Sequence, residues 1–400
     1  MSWGDVNTGG DESVAGAGAG TGTGAGVKAR PGRGLIVDGG YLRPKLAGKV
    51  GGPGTAVPIT LKLDANEGAF VPDEVLRAVV GSDGAGTLAR IYPSAASLEE
   101  LLARRLGVRG EQLVVTAGAD DALDRVVRAA CCGEAGANIV LAWPTFEMIE
   151  RYARNVGAGV KRVAWRGGAY PASDVAAAID ERTRAVFIVS PNNPTGGVAT
   201  QADVRLVHAA AQGVGAVVCV DHAYVEFADE DLTALACELP GGGCVVTRTL
   251  SKAWGMAGLR VGYAVGDERV IAWLRAVGQP YAASGVSLAV AEAWLPRAGE
   301  VVQRFVKAVR QNRLVLTEAL RRRGYEAGDS QANFVLVRCS GSDGASELVA
   351  RFAEAGIAVR GYPGVAGLGD SVRITVPAAS VDLERVLAVV RGKVVQEQKR

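Results

Sequence analysis

The chain has 400 residues, 48% of them hydrophobic and 22% charged, with 44 Lys and Arg against 42 Asp and Glu. Such usage belongs to a soluble globular protein with room for two or three domains and an ample core. The even charge balance argues against nucleic acid or an anionic membrane as partner, and no apolar run approaches the roughly 18 residues a membrane helix needs.

Residues 1–34 are Gly, Ala, Thr and Ser with scattered charges. They cannot bury enough apolar area to offset ordering entropy and read as a disordered arm. The arm lacks the apolar stretch of a secretory signal, and its glycines follow no strand, so they cradle no phosphate. A segment at 35–85 follows, expected to pack with a small C-terminal domain. From about 86, short apolar runs alternate with helical patterns. Ser97-Leu98-Glu99-Glu100 reads as a capping box opening a helix with Leu98, Leu101, Leu102 and Leu106 on one face. Strands are expected at 113–116, 138–142, 160–164, 185–189, 216–220, 244–248 and 261–265. Most are apolar throughout, as strands covered on both faces should be. Helical patterns at 121–130, 202–212 and 268–277 lie between them. This predicts an α/β domain over 86–285 with a largely parallel sheet of seven strands, its functional groups at the carboxyl ends of the strands. Beyond 285 comes a smaller α+β domain: a long helix at 286–323, a strand at 332–338, a helix at 344–356, a strand at 372–376 and a last helix near 380–394.

Six Cys, at 131, 132, 219, 237, 244 and 339, show no C-x-x-C spacing. They read as buried thiols in a reducing, cytoplasmic setting. With only His208 and His222 present, a multi-histidine metal site is not expected.

Four segments at strand ends carry chemistry. Thr247-Arg248-Thr249-Leu250-Ser251-Lys252 leads to Arg260. A lysine in that place is a surface charge or a reactive amine, and the hydroxyls and Arg260 around it suit an anionic phosphate. Ser190-Pro191-Asn192-Asn193-Pro194-Thr195-Gly196 is an ordinary turn or a rigid loop presenting an Asn to a ligand oxygen. Asp221-His222-Ala223-Tyr224 offers an acid that caps a helix or pairs with a protonated ring nitrogen. Thr116-Ala117-Gly118-Ala119-Asp120 ends in a helix cap at Asp120 or in an anion site made of free amides and the helix dipole.

The conjunction of these four resembles the class I/II, fold-type I aminotransferases that use pyridoxal 5'-phosphate (PLP), and within them the histidinol-phosphate aminotransferase group. Further words in common are Ala65-Asn66-Glu67, Tyr92-Pro93, Pro144-Thr145-Phe146, Ala257-Gly258-Leu259-Arg260 and Val372-Arg373-Ile374-Thr375. The resemblance implies that Lys252 forms the Schiff base with PLP and, once released, moves the substrate proton. It implies that Asp221 pairs with the pyridinium nitrogen, that Tyr224 and Asn193 bond the ring's phenolic oxygen, and that Phe146 stacks on the ring, with Trp143 as a second choice. Ala119, Asp120, Ser251 and Arg260 hold the phosphate, with Thr249 as a further hydroxyl. Tyr92 reaches the phosphate of a neighbouring subunit, so a homodimer with shared active sites is implied. Arg373 grips the anionic end of the substrate, Arg360 is a second phosphate-gripping arginine, and Tyr41 corresponds to an aromatic that touches substrate from the N-terminal arm.

The chain departs from the family pattern at His222, where Glu is usual, at Gly40-Tyr41-Leu42-Arg43-Pro44, which replaces a Pro-Tyr word, and at Trp254 and Met256, which are bulkier than in some relatives. The function expected is transfer of an amino group from L-histidinol phosphate to 2-oxoglutarate. The alternatives are an aromatic amino acid as donor, or decarboxylation of a phosphorylated amino acid on the same cofactor. A regulator carrying such a domain would need an added DNA-binding domain, for which 1–34 is too short. A plain NAD-binding domain would need a Gly-rich turn after its first strand and an acid some twenty residues on.

Overall fold

The computed structural model describes residues 49–50 and 57–392 of the chain. The 1–34 arm and Tyr41 lie outside the described residues. Three two-residue strands come first: β1 (Lys49–Val50), β2 (Val57–Pro58) and β3 (Leu61–Lys62). The seven expected apolar runs then form β4 (Leu113–Thr116), β5 (Asn138–Trp143), β6 (Gly159–Ala164), β7 (Thr183–Val189), β8 (Val217–Asp221), β9 (Cys244–Thr249) and β10 (Gly262–Gly266). All seven join one sheet in the order β4-β10-β9-β8-β7-β5-β6.

Alternate residues of these strands enter two different cores. Val114, Ile139, Phe187, Cys219 and Val245 face helices Ala119–Cys131, Glu147–Asn155 and Glu268–Val277. Val115, Val140, Val186, Val220 and Val246 face the opposite layer, with Val204 and Val207 of helix Gln201–Gln212. Each fully buried side chain of this kind is worth about 1.5–3 kcal/mol, so both registers of a central strand must be apolar. β6 is the exception: it sits at the sheet edge, exposes Gly159, Arg162 and Ala164 and has no fully buried residue, which corrects the expectation of two covered faces there.

β10 alone runs antiparallel to its neighbours, β9 and β4. A parallel return needs a helical crossover, and the connection 250–261 holds a single 3-10 turn, Ala257–Leu259. The carboxyl ends of β4, β5, β7, β8 and β9 and the amino end of β10 therefore share one edge of the sheet.

A second sheet, in the order β11-β12-β15-β14, contains β11 (Glu326–Ala327), β12 (Phe334–Arg338), β14 (Arg360–Gly361) and β15 (Ser371–Thr375), all antiparallel. Next to it, β13 (Ile357–Ala358) pairs in parallel with β3, and the Thr375 amide donates to the Leu63 carbonyl at 3.0 Å. The chain ahead of the central sheet is thereby tied to the second one.

Three local expectations change. The helix with Leu98 begins at Ala96, so Ser97 lies inside it and no capping box forms. The Ala96 amide donates to Ser94 Oγ instead, while Glu99 accepts from the Val115 amide. The long helix at 286–323 is two, Gly285–Trp294 and Gly299–Arg322. Pro296, which has no N–H and crowds the preceding turn, sits in the break. Among the cysteines, Cys131, Cys219 and Cys244 are buried, but Cys132 is exposed and Cys237 and Cys339 are half-buried.

Candidate active site

The shared edge of the central sheet opens into a cavity of about 440 Å³ lined by Ala119, Asp120, Phe146, Asn193, Asp221, Tyr224, Ser251, Lys252, Arg260 and Arg373. Ten of the expected site residues thus meet at one place. They come from five strand ends, one helix start and β15 of the second sheet.

Lys252 lies in the turn after β9. Its Nζ donates to the Ala65 carbonyl at 3.2 Å and sits 5.6 Å from the centre of the Tyr224 ring. Burial, followed by the nearby Arg373 guanidinium, brings its amine down to about 8. The 65–68 segment covers the lysine so closely that a Cβ on Gly68 would fall 1.3 Å from the Lys252 carbonyl oxygen, so only glycine fits.

Asp221 ends β8 and is buried. Burial pushes its carboxyl up to about 7, against a hydrogen bond from Thr247 Oγ1 at 3.1 Å. Three residues on, Tyr224 Oη accepts from Asn66 Nδ2 at 3.0 Å, while Asn66 Oδ1 accepts from Thr375 Oγ1 at 2.9 Å. The Tyr224 proton is left to point at another acceptor. Asn66 carries no role in the sequence reading; its signal is a polar turn directly after the short strand β3.

At the other end, helix Ala119–Cys131 begins behind Gly118, whose φ of 82° suits glycine. Gly118, not Asp120, occupies the cap position. The first amides of such a helix have no partner within it. Arg260, itself left-handed with φ 54°, donates to Ser251 Oγ at 3.3 Å and to Asp120 at 3.0 Å. Thr249 Oγ1 donates to Ser251 Oγ at 2.8 Å.

Arg373 is buried. Its Nη1 donates to Asn193 Oδ1 at 2.5 Å and its Nη2 to the Asp64 carbonyl at 2.7 Å, while among the described residues Nε has no partner. Asn192, the other asparagine of the loop, is spent on structure: it bonds Thr145, Thr195 and the Pro144 carbonyl. Arg360 stands opposite Arg373 in the β14–β15 register. It lines an adjoining cleft with Trp143, Phe146, Asn193, Tyr362 and Arg373. Trp143 faces that cleft under the Arg162 guanidinium, 3.9 Å from its ring centre.

Two residues stay outside. His222 points away from the cavity: its Nδ1–H donates to the Ser190 carbonyl and its Nε2 accepts from the Leu232 amide at 3.0 Å. Tyr92 is exposed and stacks on Tyr281, with ring centres 4.5 Å apart; it does not line the cavity of its own chain. Among the described residues no group of His, Cys, Asp and Glu could hold a metal ion, and no helix is long and apolar enough to cross a membrane.

The family profile described as aminotransferase class I and II matches residues 58–391. An aromatic amino acid aminotransferase of Mycobacteroides abscessus is 36% identical over 82% of this chain and 91% of its own length. The structure of histidinol-phosphate aminotransferase from Sinorhizobium meliloti in complex with pyridoxal-5'-phosphate superposes with a TM-score of 0.73 at 24% identity, over 84% of this chain and 91% of that one. L-threonine-O-3-phosphate decarboxylase from Porphyromonas gingivalis gives 0.69 at 20%, over 83% and 98%. At those identities the two structures speak for the fold alone.

Proposed function

Because the chain belongs to the class I and II aminotransferases, a PLP-dependent family, we propose that it moves an amino group from an aromatic amino acid to a 2-oxo acid such as 2-oxoglutarate. The observation that carries this reading is the meeting of a half-buried lysine, a buried carboxyl and a buried arginine in one cavity.

The residues fit PLP. The helix start at Ala119 and Asp120, with Ser251 Oγ and Arg260, offers amides, a hydroxyl and a guanidinium to a phosphate. Arg260 crowds Gly118 so closely that a Cβ there would meet its Nη2 at 2.6 Å. Asp221, whose carboxyl burial pushes up to about 7 against the hydrogen bond from Thr247, suits a protonated ring nitrogen that would hold it as an anion. PLP bound there supplies an electron-withdrawing ring that stabilises negative charge on the amino-acid α-carbon.

The chain's own groups do the rest. Lys252 Nζ, titrating near 8, takes and returns the proton at the substrate α-carbon with little driving-force mismatch near neutral pH. Tyr224 Oη, supported by Asn66, and Asn193 would hold the phenolic oxygen of PLP, and the Phe146 ring would cover one face of the ring. Arg373, already steered by Asn193 and the Asp64 carbonyl, turns its unpartnered Nε and its fork to the substrate carboxylate.

The donor class rests on the 36% identical relative and on the aromatic lining of the adjoining cleft by Trp143, Phe146 and Tyr362. A second reading, L-histidinol phosphate, is favoured by Arg360 and Arg373 standing opposite each other in one register. A donor panel with 2-oxoglutarate, reading glutamate formed, separates them. The proposal expects Phe, Tyr or Trp to lead. Histidinol phosphate in front would install the second reading, and carbon dioxide without glutamate would make the protein a decarboxylase. Tyr92 of a second copy completing the phosphate end is part of the same proposal.

A further inference from the structure

Among the polar side chains of the cavity that have no part in the chemistry above is Tyr152. Tyr152 lies on helix Glu147–Asn155, one turn beyond Met148, and both line the cavity on the side of helix Ala119–Cys131. Its ring is half-buried against the apolar layer that includes Leu123 and Ile149. Leu123 lies one turn along from Ala119 and Asp120, so the ring packs beside the helix start that faces Arg260.

The groups acting on the phenol define which end of the cavity it occupies. After burial, Asp120, Asp124, Arg260 and Asp121 weigh on its ionisation, and all four belong to the helix start or face it. The net effect holds the phenol well above its usual range, so it stays a neutral donor at any working pH. Among the described residues its hydroxyl has no hydrogen-bond acceptor in the protein. A donor that brings no charge suits a site where Arg260 already supplies the cation and Asp120 stands close by.

We propose that Tyr152 is a cofactor-binding residue whose hydroxyl donates a hydrogen bond to the PLP phosphate at the start of helix Ala119–Cys131. The inference rests on the reading of that helix start as the phosphate end. It differs from a structural role for the ring, because Tyr152→Phe keeps the ring and removes only the donor.

The test uses the full chain, stripped of cofactor and titrated by absorbance with PLP and, separately, with pyridoxal, which lacks the phosphate. A hydrogen bond to a charged group predicts that Tyr152→Phe weakens PLP binding about tenfold or more and leaves pyridoxal binding unchanged. Equal weakening of both ligands, or no weakening of PLP, overturns the proposal. Arg260→Ala, titrated alongside, keeps the two levels apart. If Arg260→Ala lowers the preference for PLP over pyridoxal and Tyr152→Phe does not, the Tyr152 assignment alone falls. If neither variant lowers it, the phosphate end itself is misplaced.

Discussion

Lys252 and His222 show how burial sets chemistry at single residues. The amine of Lys252 is lowered to about 8 mainly because the 65–68 segment and the second sheet exclude water from it. Lys252→Ala removes the only lysine that lines the cavity among the described residues. It should abolish transamination and leave no cofactor fixed to the chain after borohydride treatment, read by absorbance and mass; retained turnover would take the lysine out of the mechanism. His222 is the opposite case. Burial holds its ring near 4, below the usual 6.5, and its two hydrogen bonds need the neutral form. Between pH 4 and 6.5 the unfolded chain therefore binds a proton that the folded one does not. Stability must fall as pH drops through that window, by about 3 kcal/mol in full. His222→Gln should flatten the slope of unfolding free energy between pH 6.5 and 4 in denaturant titrations, and an unchanged slope would mean the imidazole is not held neutral. His222 is thus a pin between two loops, outside the cavity.

Elements position the start of helix Ala119–Cys131 through close backbone packing. β10 crosses directly behind the first turn of helix Ala119–Cys131. A Cβ on Gly262 would stand 2.5 Å from the Gly118 carbonyl carbon and 2.7 Å from the Ala119 nitrogen. Gly262→Ala must therefore push the helix start away from Arg260. Overpacking of this kind costs about 1–3 kcal/mol. The expected result is a lower denaturation midpoint together with PLP affinity weakened about tenfold. Wild-type affinity in the folded variant would show that the helix start does not hold the phosphate. The same antiparallel strand explains why Arg260, which lies after the lysine in sequence, returns to the lysine's edge of the sheet.

For the whole molecule, the telling surface is the one around Tyr92. Ile91, Tyr92 and Tyr281 are large, exposed and, in the case of the two tyrosines, already stacked. If Tyr92 serves the cavity of a second copy, Tyr92→Ala and Lys252→Ala chains are each impaired, but mixing and reassociating them creates one site with an intact Lys252 and an intact Tyr92. Activity should then reappear beyond the sum of the separate variants. Assays of the mixture that stay at that sum would argue that each chain works alone.

How much of this could be read beforehand follows from the range of the interactions. The seven runs of β4–β10 announced themselves because a strand buried on two faces must be apolar at nearly every position, a property written locally. The four loops were legible because Gly, Pro, Asn, Asp and Lys at strand ends restrict backbone or carry charge within a few residues. The break at Pro296 and the lost capping box at Ser97 were local too, but there the neighbouring helix start and the missing N–H outweighed the pattern. Asn66 holding Tyr224, Arg373 reaching Asn193 across 180 positions, Gly68 lying on Lys252 and Tyr152 entering the cavity were decided by tertiary structure alone. Each depends on which distant backbone comes within hydrogen-bond or van der Waals reach. A linear pattern of residue types fixes what a side chain can do, but only the packed sheets determine what it meets.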